Sequence, residues 1–300
     1  MGNRRSYRPL PRPTVRPICH DPGVTDAHEG TLGPLVDTTV RVATWNLWWQ
    51  FGPWPERADA ILATLRAADA DVIALQEVWA EGDRNQAAEL AEALGGYHHT
   101  YAAKYEFEGV WFGNAVLSRW PIADEGRQDL PTPPDEDEGR LVVRADIDGP
   151  RGRFSVYATH LHYRLHHGPI RQDQVKAVCA YIRDTAVAGY PAVLCGDFNA
   201  APDSDEIRML TGKAAVPAPP LVFRDVWELV PGEGPGLTWS NDNPYAALEA
   251  ETPARIDYVF VAWPEAGGRG HATSVGLLGD EPVDGVWPSD HFGIVTDLRY

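Results

Sequence analysis

Several apolar stretches of this chain run into a short polar cluster, and the clusters share a chemistry. Val42-Ala43-Thr44-Trp45 ends at Asn46, and Val72-Ile73-Ala74-Leu75 at Gln76-Glu77. Val156-Tyr157-Ala158-Thr159 ends at His160, and Val193-Leu194-Cys195-Gly196 at Asp197-Phe198-Asn199. Near the C-terminus, Pro288-Ser289-Asp290-His291 precedes its apolar stretch instead. One such cluster alone says little, because Asn after a strand is a common turn former. Together, drawn from Asn, Asp, Glu and His, they describe a site if the strand ends converge on one rim. Glu77, Asp197 and Asp290 are hard oxygen donors, matched to Mg2+ or Mn2+ rather than to zinc. Brought close, three carboxylates would repel and raise one another's pKa unless a cation neutralised them. His160 and His291 can hydrogen-bond a phosphoryl oxygen or transfer a proton. Asn46 and Asn199 can orient a water or a carboxylate without adding charge. This set suits attack by water on phosphorus, with metal and donors offsetting charge on the pentacoordinate state.

Rival chemistries lack their residues. There is no G-x-S-x-G elbow for a serine nucleophile, no P-loop, and no G-x-G-x-x-G between a strand and a helix. Cys19, Cys179 and Cys195 form no CxxC pair and no zinc spacing. Cys195 sits in an apolar run and reads as a core thiol.

The elements that must carry the clusters alternate along the chain. Strands are expected at 39–45, 71–76, 114–118, 141–147, 153–159, 192–196, 256–261 and 292–298. Helices are expected at 55–68, where Ala58, Ile61, Leu62 and Leu65 share a face, at 85–94 before Gly95-Gly96, and at 169–185, where Pro169 suits the first turn. Pro-, Gly- and acid-rich segments at 129–139, 211–220, 231–236, 240–253 and 278–288 read as surface loops. Residues 1–38, rich in Pro, Arg and Gly, read as a flexible leader, and 39–300 as one α/β domain.

Taken in order, Thr44-Trp45-Asn46, Leu75-Gln76-Glu77-Val78, Gly113-Asn114-Ala115-Val116-Leu117-Ser118-Arg119, Thr159-His160-Leu161, Gly196-Asp197-Phe198-Asn199, Arg255-Ile256-Asp257-Tyr258 and Ser289-Asp290-His291 resemble the endonuclease/exonuclease/phosphatase superfamily. That group includes DNase I-like nucleases, abasic-site endonucleases, neutral sphingomyelinases and inositol-polyphosphate 5-phosphatases. The resemblance implies a four-layered α/β sandwich, two mainly antiparallel sheets packed face to face with helices outside. It further implies a metal-dependent phosphoric ester hydrolase with Glu77 as principal Mg2+ or Mn2+ ligand, Asn46 beside it, and Asp290 near the metal or leaving group. Asp197 would orient and deprotonate the attacking water, with Asn199 assisting. His160 would hold a non-bridging phosphate oxygen. His291 would sit against the scissile phosphate, its ring oriented by Asp257, as base or as stabiliser. Asn114 would contact phosphate or close hydrogen bonds within its strand. Arg255 reads equally as structural, and Arg171 and Gln174 read as solvated polar residues of the 169–185 helix.

The substrate is less legible. Trp48, Trp49, Phe51, Trp54, Trp79, Trp111 and Phe112 cluster near the motifs, as packing anchors or as a wall that stacks on substrate. His162, His166 and His167 could bind substrate or form a solvated loop. Residues 41–300 hold 21 basic and 39 acidic side chains, a net charge of −18, which argues against strong binding of duplex DNA. A small soluble phosphoester fits this charge; single-stranded or short nucleic acid fits the aromatics; a lipid headgroup would want an exposed apolar hairpin, which is not evident. A non-catalytic scaffold of the same fold would be expected to lose Glu77, Asp197 or His291, and all are present. No apolar run reaches the ~18 residues of a membrane span. The Arg4-Arg5 pair is followed by Pro and Arg where an export signal needs an apolar stretch, so a cytoplasmic monomer is expected.

Overall fold

Period-two alternation in the central strands decides how the layers form. In the computed structural model, which describes residues 34–231 and 234–300, the first half of the chain supplies β1 (Thr39–Asn46), α1 (Trp54–Ala68), β2 (Val72–Glu81), β3 (Arg84–Asn85), α2 (Gln86–Ala93), β4 (His98–Phe107), β5 (Val110–Ser118) and β6 (Ile122–Asp129). The second half supplies β7 (Leu141–Gly149), β8 (Gly152–His160), α3 (Gly168–Thr185), β9 (Val193–Asp197), α4 (Asp205–Leu210), β10 (Phe223–Asp225), α5 (Val226–Leu229), β11 (Asp257–Ala262), β12 (Ala272–Leu278) and β13 (Gly293–Arg299). One sheet runs β12-β13-β1-β2-β5-β4 with β3 beside β2, and the other β10-β11-β9-β8-β7-β6. Among the described residues only β1/β2 and β8/β9 pair in parallel; the other pairs are antiparallel.

The inner faces meet as one core. Val40, Val42, Val72, Ala74 and Val116 of the first sheet pack with Val143, Ala145, Val156, Ala158, Val193, Cys195, Val259 and Val261 of the second. Intervening residues point outward. Ala43, Trp45, Ile73, Leu75, Ala115 and Leu117 lie under Ile61 and Leu65 of α1 and Ala87 and Leu90 of α2. Tyr157, Leu194, Tyr258 and Phe260 lie under Val175, Val178, Cys179 and Ile182 of α3. The result is the four-layered α/β sandwich that the motifs imply.

Residues 1–33 of the expected leader lie outside the described residues. Its last residues do not hang free: Val36 N–H donates to Gly267 O (2.9 Å), beside the β12 edge. No helix among the described residues is long and apolar enough to cross a membrane.

Candidate active site

The same alternation builds the site. On β1, β8, β9 and β11, the inward positions continue past the last Val, Ala or Cys to Asn46, His160, Asp197 and Asp257. In the second sheet these fall in one row, since His160 is in register with Asp197 and Asp197 with Asp257. Glu77 breaks the pattern. Alternation would send it outward with Ile73 and Leu75, but the β2–β5 register slips between Leu75 and Val78 and Glu77 adopts φ +54°. That left-handed residue, costing about 1–3 kcal/mol, turns its carboxylate back toward Asn46. Gly196 serves the row differently: a Cβ there would lie 2.0 Å from Thr159 O, so only glycine lets β9 approach β8 this closely.

Asn46 Nδ2 spans the two sheets, donating to Glu77 Oε1 (3.0 Å) and Asp197 Oδ2 (3.1 Å). Asp197 Oδ1 accepts the Asn199 backbone N–H (2.8 Å). Around Asp197 Oδ2 stand His160 Nε2 at 3.4 Å and His291 Nε2 at 3.7 Å. His291 Nδ1 lies 3.0 Å from Asp257 Oδ2. Burial, then the neighbouring Asp290, pushes Glu77 up to about 7. Burial and Asp257 push Asp197 up to about 6, and burial pushes Asp290 up to about 6 against the pull of His291 and Arg57. Burial, aided by Arg140, holds His160 well below the usual histidine range, so the ring is neutral. For His291 burial is outweighed by Asp257, Asp197 and Asp290, which hold it well above that range.

A divalent cation fits these residues. Glu77 Oε2 is buried without a partner among the described residues, and an unpaired carboxylate oxygen beside other acids carries a desolvation cost that a cation removes. Glu77, Asp197 and Asp290 offer hard oxygen, which suits Mg2+ or Mn2+, while Asn46 turns Nδ2 to the acids and its Oδ1 accepts the Trp48 N–H (2.9 Å).

The family model described as "Endonuclease/Exonuclease/phosphatase family" matches residues 43–291. The chain belongs to this family. The family's members are phosphoester hydrolases, and so is this chain. It is 26% identical over 305 residues to an inositol phosphosphingolipids phospholipase C of Schizosaccharomyces pombe, covering 86% of this chain and 68% of that one. Among solved structures, an endonuclease/exonuclease/phosphatase from Beutenbergia cavernae superposes with TM-score 0.67 at 26% identity, over 87% of this chain and 71% of the other. D. rerio TDP2, solved with a single-strand DNA product, gives TM-score 0.72 at 19% identity over 88% and 100%, a likeness of fold.

In this family member several residues outside the motifs hold the site together. Arg57, buried on α1, donates from Nη1 to Leu47 O (2.8 Å) and Pro288 O (2.9 Å). From Nη2 it reaches Trp48 O (3.0 Å), Trp49 O (2.9 Å) and Phe51 O (3.0 Å). It thus ties the loop after Asn46 to the loop before Asp290. The sequence held a signal: Arg57, Ile61 and Leu65 fall on one helical stripe, so an arginine sits among core positions. Ser289 Oγ donates to Asn46 O (2.7 Å), and Asn243 Nδ2 to Ser289 O (2.7 Å). Arg140, also buried, is near enough to act on Glu77 and His160, and its Nη1 has no hydrogen-bond partner among the described residues. Arg57→Ala would orphan buried carbonyls, and is expected to cost about 3 kcal/mol, read as a lower urea midpoint with unchanged slope.

Other expected residues fall elsewhere. Asn114 is buried, and its Nδ2 donates to Leu141 O (3.1 Å), a tie between sheets. Arg255 is structural, paired with buried Asp225 at 2.6 Å. Arg171 and Gln174 are not solvated. Both are buried: Arg171 pairs with Glu206 (2.6 Å) and donates to His162 O and Arg164 O, and Gln174 accepts the His162 N–H (3.0 Å). Trp49 and Trp79 pack with Trp54 and Phe112 as a small core. An apolar hairpin does exist: β4 and β5 meet at Phe107–Val110, leaving Phe107 51% and Trp111 41% exposed. The sequence hid it because β4 mixes polar and aromatic residues without clean alternation. Ring centroids trace a path from the site to it, His160–Phe112 at 6.0 Å, Phe112–Trp49 at 6.2 Å and Trp49–Phe107 at 6.5 Å. A surface groove of about 680 Å3 lies between α1 and β12 and shares no residue with the cluster.

Proposed function

We propose that this protein is a Mg2+- or Mn2+-dependent phosphodiesterase that uses Asp197 to deprotonate the attacking water. The observation that carries this reading is the setting of Asp197 Oδ2, between His160 and His291 and held by Asn46, with a proton affinity near neutrality. Glu77, Asn46 and Asp290 would hold the cation, which when bound offsets charge on the phosphoryl oxygens and leaving group. Asn199 fixes the Asp197 carboxylate through its backbone N–H, and its own Nδ2 is anchored on Leu161 O (3.1 Å). His160 is neutral and its Nδ1 has no hydrogen-bond partner among the described residues, so it can meet a phosphoryl oxygen. His291 enters as a cation oriented by Asp257, so it stabilises charge on phosphorus and leaves the base role to Asp197.

For the substrate, the phospholipase C relative and the aromatic path favour a lipid phosphodiester. Phe107, Trp111 and Phe51 would sit in the lipid surface while the headgroup phosphate reaches His160. Single-stranded nucleic acid is the second reading, since the same rings would stack on bases. The net charge of −17 weighs against it.

Bis(p-nitrophenyl) phosphate tests the chemistry: turnover is expected with Mg2+ or Mn2+ and none with EDTA. A metal-independent rate, or no turnover of any phosphodiester, overturns it. Phe107→Ser is expected to slow hydrolysis of a sphingolipid phosphodiester in mixed micelles by about tenfold, the scale of one lost apolar contact of 1–2 kcal/mol, and to spare the soluble diester. If single-stranded DNA is cut and micelles are not, the second reading holds.

A further inference from the structure

We propose that Glu136, His162 and His167 form a second metal site, distinct from the carboxylate centre, for a first-row transition ion such as Zn2+. The site would clip the β6–β7 connection to the loop that follows β8. Glu136 closes a 3-10 turn at Pro134–Glu136, and His167 closes another at Leu165–His167. One ligand atom from each of the three residues lies within 4.8 Å of the others.

The distances suit a shared ion better than direct bonds. His162 Nε2 is 3.9 Å from Glu136 Oε2 and 3.6 Å from Glu138 Oε1, and His167 Nε2 is 4.0 Å from Glu136 Oε1. These are too long for hydrogen bonds. His167 Nδ1 lies 3.4 Å from His162 Nε2. A tetrahedral ion with bonds of 2.0–2.2 Å separates its ligands by roughly 3.3–3.5 Å. An ion that takes one atom from each residue finds them within 4.8 Å of one another, so the two loops would close around it by at most about 1.3–1.5 Å. Glu138 could complete the sphere: its Oε2 is held by Arg140 (2.9 Å), which leaves Oε1 facing His162. Arg164, Nε 3.5 Å from Glu136 Oε2, is 45% exposed and free to withdraw.

The loop is built rather than loose. His162 is fully buried. Its N–H is taken by Gln174, whose Nε2 also donates to Thr132 Oγ1 (3.3 Å), so one side chain holds both loops in place. Arg171 fixes the carbonyls of His162 (3.1 Å), Arg164 (2.7 Å) and Leu165 (3.3 Å). Two imidazoles and a carboxylate select Zn2+ or Co2+ over Mg2+, the reverse of the oxygen-rich centre at Glu77. The ion would stiffen the wall two residues from His160.

The test is a titration of metal-stripped full-length protein with Co2+ in excess Mg2+. One equivalent is expected to give the intense visible absorption of four-coordinate Co2+. His167→Gln and Glu136→Gln, whose side chains are partly exposed and need not disturb folding, are expected to weaken that binding by about tenfold or more. Glu77→Gln is expected to keep it. No such absorption in the wild type, its persistence unchanged in both loop variants, or its loss in Glu77→Gln would each overturn the proposal.

Discussion

Asp197→Asn is expected to lower kcat on a soluble phosphodiester by about 10^2–10^4-fold, the range for a positioned acid–base group. The change removes the proton acceptor and one of the two hydrogen-bond acceptors. Asn keeps the shape, and its carboxamide oxygen can still accept the Asn199 N–H or the Asn46 amide that the carboxylate now accepts. The pH profile separates this from a structural role. Burial and Asp257 raise Asp197 to about 6, so the basic form is present above about pH 6 and lost below it. Wild-type kcat/KM is expected to fall about tenfold per pH unit on the acid side, and the residual rate of Asp197→Asn should lack that limb. A variant within a few-fold of wild type, with the limb intact, would remove Asp197 from the chemistry.

What the sequence revealed follows from where each strand lies. The eight central strands β1, β2, β5, β7, β8, β9, β11 and β13 were all expected; of the five that were missed, β4, β6, β10 and β12 are the ends of the two strand orders and β3 is a two-residue strand beside β2. A central strand must bury side chains, so its apolar run is dense. An edge strand need not, and natural edges carry charge that discourages further pairing: β6 reads Ile-Ala-Asp-Glu-Gly-Arg-Gln-Asp. The site was legible for the same reason in reverse. Asn46, His160 and Asp197 stand where buried strands switch abruptly from apolar to polar, whereas Asp257, inside the expected 256–261 strand, was legible only through the family motif. Glu77 was legible as a motif, but its inward turn depends on a register slip that alternation does not announce. Arg171 and Gln174 read as ordinary helix polars until the loops whose carbonyls and N–H groups they bind are in place.

Glu77→Gln is expected to abolish the response to Mg2+ and reduce kcat by about 100-fold or more, while making the metal-free protein more stable at pH 8. The sign follows from the raised pKa. Burial and Asp290 move Glu77 from 4.5 to about 7 in the folded state. Below about pH 4.5 it is protonated folded or unfolded and contributes nothing. Above about 7 the fold must hold a buried carboxylate of which only Oε1 has a hydrogen-bond partner among the described residues, which costs about 3 kcal/mol. Gln removes that cost, so its metal-free melting temperature at pH 8 should exceed that of the wild type, with the gap closing toward pH 4.5. The cation acts through the same group. It binds the ionised form, so protons compete with it below about pH 7, and the melting-temperature gain on adding Mg2+ should be large at pH 8 and small at pH 5.5. Glu77→Gln should show little gain at either pH. A Mg2+ gain of equal size at both pH values, or one that survives in the variant, would place the cation away from Glu77. An activity loss alone would not carry this conclusion, since many changes near a catalytic water slow it. A variant that is more stable without metal and deaf to Mg2+ has one simple cause: the carboxylate that the fold strains to bury is the one the cation relieves.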